Sequence, residues 1–313
     1  MPKITPDIAK GLLALNERIE KSDIPSSKLD ETLNIATWNI RGFGANKRTA
    51  AAIYYIAEII RQFDLVGIVE LRDNLNDLAR VLKVLGPTWR ALYSDTIRDR
   101  GGNWERVGYV YDKRAVTHTG FAAAAQPPRT KKGTEYVPDY TWWRTPYMAS
   151  FKAGFFDLVV LTTHIRWGGS RDARLQELKS LAKWIDLKQK SENREDSDLL
   201  VMGDFNITKD DMLQAITSRG LQIPKPLRQK SFGTNLERKK RYDQILHNPA
   251  VTKLFTDKAG VLDFYAKDID PLFPGMAKKD FINQLSDHLP LWIQIRTDDR
   301  VARLNQLIGA GID

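Results

Sequence analysis

The chain has 313 residues, 42% apolar and 28% charged, which fits a soluble globular protein of one large or two small domains with a substantial core. Its formal net charge of +9 suits polyanionic partners such as nucleic acid, phosphoinositides or anionic membrane, and equally a plain basic surface. With no cysteine, it can form no disulfide, thiolate nucleophile or cysteine metal site.

The opening Met1-Pro2-Lys3-Ile4-Thr5-Pro6-Asp7 lacks the basic-then-apolar pattern of a secretory signal. No run approaches the roughly 18 apolar residues of a membrane span. A cytoplasmic protein without a membrane span is expected, with export of a processed form left open. Residues 6–21 read as an amphipathic helix started by Pro6 or Asp7, with Ile8, Leu12, Leu13, Leu15 and Ile19 as its stripe. Ser22 to Glu31, with Pro25-Ser26-Ser27, reads as a linker. Residues 1–31 are therefore expected to form an accessory helix and linker, or a partner-binding helix, ahead of a main domain over 32–313.

Beyond Leu33 strands and helices alternate. Residues 33–40 read as a strand and 47–62 as a helix with Ala50, Ile53, Ile56, Ala57 and Ile60 inward. A strand follows over 64–70 and a helix over 74–85. Strand-like pieces occupy 89–94, 107–111, 116–121, 147–151 and 155–164. A long helix spans 172–190, with Leu175, Leu178, Leu181, Ala182 and Ile185 inward. Further strands are expected at 199–203, 242–246 and 289–295, and a closing helix at 301–308. Residues 122–140, with Pro127-Pro128-Arg129-Thr130-Lys131-Lys132, read as an exposed basic loop. The pattern predicts an α/β or α+β single domain.

Several apolar strands end in an acid, amide or imidazole: Asn39, Glu70, His164, Asp204 with Asn206, and Asp287-His288 before Leu289; Asp243 opens another strand. Such groups are costly to bury unless paired or metal-bound. Together they suggest one site at the edge of a sheet sandwich, rich in hard oxygen ligands, as a Mg²⁺-dependent phosphoesterase requires. In Gly203-Asp204-Phe205-Asn206, strand alternation puts Asp204 and Asn206 on one face. Glu70 suits a hard metal. Asp287 and His288 are adjacent and so point apart; Asp287 is expected at the metal and His288 at the phosphate, with Asp243 fixing its tautomer. A second pair, Glu105 with His164, would place two histidines across one phosphate, one accepting a proton from water and one donating to the leaving group. His118 and His247 lack such a setting and are expected to be structural or solvent-facing.

These motifs, Thr37-Trp38-Asn39-Ile40, Val69-Glu70, Thr163-His164, Gly203-Asp204-Phe205-Asn206, Tyr242-Asp243 and Ser286-Asp287-His288, resemble in order those of the endonuclease/exonuclease/phosphatase superfamily over residues 33–296. Glu105-Arg106 before Gly108-Tyr109-Val110-Tyr111, and Arg144-Thr145-Pro146 before Met148, resemble its deoxyribonuclease I branch. The resemblance implies a four-layer sandwich of two packed mixed β-sheets flanked by helices. It implies Glu70 as a Mg²⁺ ligand with Asn39 and Asp287 nearby, and Arg144 and Asn39 against the phosphate. His288 with Asp243 and His164 with Glu105 would be the proton-transfer pairs, and Asp204 and Asn206 would complete the site. Mn²⁺ is the expected substitute cation and Ca²⁺ a further candidate. Arg41 stands where the superfamily's apurinic endonucleases carry an acid, which weakens an abasic-site repair reading.

The expected function is a largely nonspecific, Mg²⁺-dependent DNA endonuclease. The alternatives are a phosphatase or phosphodiesterase on inositol phosphate, sphingomyelin or another small phosphoester, and an inactive binding module on the same fold. Arg98, Arg100, Arg106, Lys131 and Lys132 are expected to meet phosphates. Trp142, Trp143 and Trp167 are expected to stack near bases or pack in the core.

Overall fold

The computed structural model describes residues 3–98, 103–196, 198–228 and 232–298, with Leu304 and Ile308. In chain order it runs α1 (Pro6–Glu20), β1 (Thr32–Phe43), α2 (Ala50–Ile60), β2 (Leu65–Leu71), α3 (Asn76–Leu85), β3 (Trp89–Tyr93), β4 (Ile97–Arg98), β5 (Trp104–Asp112) and β6 (Thr117–Ala124). Then come β7 (Arg129–Lys132), β8 (Glu135–Pro138), β9 (Tyr147–Ala153), β10 (Phe156–His164), α4 (Arg171–Lys190), β11 (Leu199–Asp204) and α5 (Asp210–Thr217). The last elements are β12 (Asp243–His247), β13 (Phe255–Val261), α6 (Lys278–Gln284) and β14 (Leu291–Arg296). The expected closing helix over 301–308 lies outside the described residues apart from Leu304 and Ile308.

Two mixed sheets stack face to face. The first has order β13-β14-β1-β2-β5-β3 with β4 beside β5; the second has order β12-β11-β10-β9-β6. Alternation explains why both faces of the second sheet are buried. Val160, Leu200, Met202 and Ile245 point into the core between the sheets, whereas Val159, Leu161, Leu199, Val201 and Leu246 join the layer under α4 and α5. Helices α1, α2 and α3 cover the outside of the first sheet, so the domain has four layers. Gly67 lets the sheets close up: a Cβ there would lie 2.5 Å from Met202 Cε.

Helix α1 starts at Pro6, with Thr5 as its cap accepting from the Ile8 N–H. Ile8, Leu15 and Ile19 are buried as expected and Leu12 packs partly, but Leu13 is 67% exposed. Gly11 takes its place in the contact face, against the Tyr55 hydroxyl. The following segment is tied down, with Asn34 Nδ2 donating to the Pro25 carbonyl and Ser27 Oγ to Asp64. The expected loop over 122–140 is instead the end of β6 followed by the β7–β8 hairpin.

Candidate active site

Strand direction assembles the site. β1 and β2 run parallel, as do β10 and β11, and both pairs end at one edge of the sandwich. There His164 lies beside Asp204, and Asp204 beside Asp243, across β10, β11 and β12. Arg106 opposes Leu71, which brings Glu105 to the end of β2. The turn before β14 arrives above Asn39: Ser286 Oγ donates to the Asn39 carbonyl at 2.6 Å, and Trp38 Nε1 donates to the His288 carbonyl at 2.8 Å.

Local backbone distortion aims the side chains. Register shifts interrupt the ladders just past Asn39 and Ile68, the usual way a bulge re-aims a residue. Glu70 and Asn206 both adopt left-handed backbone, at φ 61° and 50°. For non-glycine residues such conformations cost about 1–3 kcal/mol and persist only where surroundings enforce them. Gly203 is required outright: at φ 137° its Cβ would sit 1.9 Å from the Thr163 carbonyl oxygen.

Two imidazole–carboxylate pairs converge on Asp204. His288 Nδ1 lies 2.7 Å from Asp243 Oδ2, and His164 Nδ1 lies 3.1 Å from Glu105 Oε2. The opposite ring nitrogens face Asp204 Oδ2, at 3.8 Å from His288 and 3.6 Å from His164. Burial disfavours the charged form of His288, but Asp243 and Asp204 outweigh it and raise its pKa to about 10. Asp243 itself is pushed up, mainly by burial, and the two groups titrate as a pair. His164 is pulled down by burial and Arg144, yet the hydrogen bond to Glu105 and the charge of Asp204 leave it net raised.

Asn39 Nδ2 bridges Glu70 Oε1 at 3.1 Å and Asp204 Oδ2 at 3.0 Å. Both amide hydrogens are thus committed, and Asn39 Oδ1 is left buried without a hydrogen-bond partner. Burial pushes the Glu70 carboxyl up, but His164, the Gly42 N–H, Asn39 and His288 hold it down to about 2. An ionised carboxylate beside an orphaned amide oxygen is a hard-oxygen donor set that fits a divalent cation. Asp287 is nearby but is held by Arg41, Nη1 to Oδ2 at 2.5 Å. Asp204, Asp243 and His288 also bring possible ligand atoms within 4.8 Å of one another; the hydrogen bond within the Asp243–His288 pair occupies that imidazole's Nδ1 and favours proton transfer for this trio.

All ten residues expected at the site belong to this cluster, and all but Asp243 line a cleft of about 690 Å³; Asp243 sits behind His288. Arg144 Nε lies 2.7 Å from Glu105 Oε2. Arg72 went unrecognised as a site residue in the sequence. It follows β2 by one residue, where the left-handed backbone at Glu70 breaks strand alternation, so spacing gave no signal for it; its guanidinium lies 3.5 Å from Glu105 and 3.9 Å from Glu70. Tyr242, its ring tilted 36° to that of His288 at 5.6 Å and edge-on to Trp167, is a further wall. The aromatics divide: Trp142 is buried with its Nε1 donating to the Ala125 carbonyl, whereas Trp143 and the 56%-exposed Trp167 line the cleft. Arg106 is committed to Asp73 and Asp95. Arg100 lies outside the described residues, as does the side chain of Arg98. His118 meets the Phe121 carbonyl, and His247 is buried with Nδ1 on the Asn248 carbonyl.

The chain is 25% identical over 287 residues to a deoxyribonuclease of Thioalkalivibrio sp. (strain K90mix), covering 86% of this chain and 72% of the relative. It is 25% identical over 185 residues to deoxyribonuclease gamma of Mus musculus, covering 56% and 55% respectively. Among solved structures, a humanized TDP2 of D. rerio superposes with TM-score 0.56 at 16% identity, covering 84% of this chain and 98% of that one. A mannosyl-6-phosphatase of Bacteroides thetaiotaomicron superposes with TM-score 0.54 at 16% identity, covering 84% and 99%; at these identities the likeness concerns the fold. The family match spans residues 36–288, and the chain belongs to the endonuclease/exonuclease/phosphatase family, as a hydrolase of phosphoester bonds.

Proposed function

We propose that the protein is a divalent-cation-dependent endonuclease that cuts the DNA backbone with little sequence preference. The observation that carries this reading is the pair of imidazoles facing Asp204, each with its far nitrogen held by a carboxylate. The two deoxyribonuclease relatives support the choice of substrate.

Glu70 and Asn39 would hold the cation, joined by Asp287 once Arg41 lets go; oxygen donors favour Mg²⁺, with Mn²⁺ as substitute. When bound, the cation neutralises charge building on the nonbridging oxygens. Arg144 and Arg72 offer guanidinium groups to the same oxygens. Water attacks phosphorus in line. One imidazole takes its proton as the new P–O bond forms, and the other donates a proton to the departing oxygen as the old bond breaks. Glu105 and Asp243 hold the rings in the required tautomers. Asp204, fixed by Asn39 Nδ2 and the Asn206 N–H, stabilises the imidazolium that forms.

Nicking of supercoiled plasmid tests this, with wild type in Mg²⁺, wild type in EDTA, and His288→Ala. The expected result is nicking that needs the cation and falls about 10²–10⁴-fold in the variant. Folded wild type that leaves plasmid intact in Mg²⁺, Mn²⁺ and Ca²⁺ but hydrolyses inositol phosphates or sphingomyelin would overturn the nuclease reading in favour of a small phosphoester.

A further inference from the structure

The β7–β8 hairpin has sorted its charges. Its register pairs Arg129 with Pro138, Thr130 with Val137, Lys131 with Tyr136 and Lys132 with Glu135. Side chains alternate along each strand and partners share a face. One face therefore carries Arg129, Lys131, Tyr136 and Pro138 and no acid. The other carries Thr130, Lys132, Glu135 and Val137. Asp139, next after Pro138, belongs to that second face too, accepting from Thr130 Oγ1 at 2.6 Å. Arg129 to Lys132 are all exposed, and Tyr136 is 62% exposed. An aromatic ring left in water opposite one cation and diagonal to a second is an arrangement suited to a nucleic-acid strand: cations for phosphates, a ring for a base.

The hairpin also has a fixed stem and a defined place. It leaves the second sheet where β6 ends, Ala124 beside Tyr147, at the edge where β10 ends in His164. Trp184 Nε1 donates to the Gln126 carbonyl, Trp142 Nε1 to the Ala125 carbonyl, and the Asp139 N–H to the Pro128 carbonyl. From Pro138 the chain reaches Arg144, in the cleft, in six residues, at most about 20 Å of extended backbone.

We propose that the Arg129–Lys131–Tyr136 face is an arm that grips the nucleic-acid backbone away from the cut phosphate. At 3.4 Å per step it would reach within about six base pairs of it. The inference rests on the nuclease reading and deepens it: the substrate is a polymer long enough to meet both cleft and arm. Lys132, opposite Glu135, takes no part.

Binding of a 30-base-pair duplex is measured by fluorescence anisotropy across a KCl series, in a His288→Ala background that slows cleavage about 10²–10⁴-fold. The variants are Arg129→Ala/Lys131→Ala, Tyr136→Ala and Lys132→Ala. Losing two phosphate contacts should make the slope of log affinity against log salt shallower by about 1.8. Tyr136→Ala should weaken binding of single-stranded oligonucleotide about fivefold or more. Lys132→Ala should change neither. In the wild-type background, all variants should hydrolyse bis(p-nitrophenyl) phosphate, too small to reach the arm, at the unmodified rate. Equal slopes for the double variant and Lys132→Ala overturn the assignment of the face. Plasmid nicking that persists with an unchanged slope overturns the arm alone. Hydrolysis of the small diester with neither plasmid nicking nor duplex binding overturns the nuclease reading, and the arm with it.

Discussion

Asn39 sits between two carboxylates, Glu70 and Asp204, and its amide donates to both. An acid at this position would add a third negative charge, and alanine would leave two carboxylates without a shared donor. Arg41, two residues on, reaches Asp287 across the site. In the sequence it was legible only as a cation replacing an acid; which carboxylate it meets depends on a turn more than 200 residues later. Since Arg41 and a divalent cation would compete for Asp287, Arg41→Ala should tighten Mg²⁺ binding. The pair is half exposed, and such pairs contribute up to about 1 kcal/mol, so the gain should be at most about fivefold. Titration calorimetry reads it directly, and unchanged or weaker binding would show that Asp287 is no ligand or that Arg41 does not compete.

At the scale of elements, strong periodicity was legible and weak periodicity was not. Helices α2 and α4 and strands β2, β10 and β11 carry unbroken apolar patterns, and their expected and observed bounds agree within a few residues. Strand β13 was missed because it is an edge strand, paired among the described residues with β14 alone, with Asp257 and Lys258 exposed and a register shift after Phe255. Helix α6 buries only Phe281 among mostly polar neighbours, so no stripe announces it. Helix α1 shares the main core through Ile8, Leu15 and Ile19. We propose that residues 1–31 are an accessory segment stabilised as part of the domain. Leu15, fully buried, tests this: Leu15→Ala should cost about 2–5 kcal/mol in urea unfolding, in a single transition. A loss below about 0.5 kcal/mol, or a separate early transition, would mean that α1 docks loosely.

For the whole molecule, buried histidine couples the fold to pH. Burial pushes His247 below its ordinary value of 6.5, against the Asn248 carbonyl and aided by Arg228. The unfolded chain therefore takes up the proton first. Stability from this site is complete above about pH 6.5 and is lost as pH falls through that value. His247→Gln should flatten the fall in urea midpoint between pH 7 and 5 relative to wild type, and an unaltered acid limb would assign that fall to other groups. His288 has the opposite sign, being raised by its carboxylates. The difference lies in partners: His247 has a carbonyl and a cation nearby, His288 three acids, Asp243, Asp204 and Asp287.

The order of residues was sufficient for the class of fold, for both imidazole–carboxylate pairs and for the hard-oxygen character of the site. The fold class and the oxygen-rich character are properties of local pattern: strand alternation, polar groups at strand ends, and residue types that are costly to bury alone. The two pairs join residues 59 and 45 positions apart and were legible only through the family resemblance and the need of each imidazole for a carboxylate. Tertiary structure decided the rest. Only the parallel pairing of β1 with β2 and β10 with β11 shows that these strand ends meet at one edge. Only the hairpin's formation and register set Lys131 opposite Tyr136 and Lys132 opposite Glu135, and only packing separates Trp142 from Trp167. Sequence spacing states which face of an element a side chain shares with its own neighbours. What stands opposite that face is set by long-range closure of the chain, to which local periodicity carries no information.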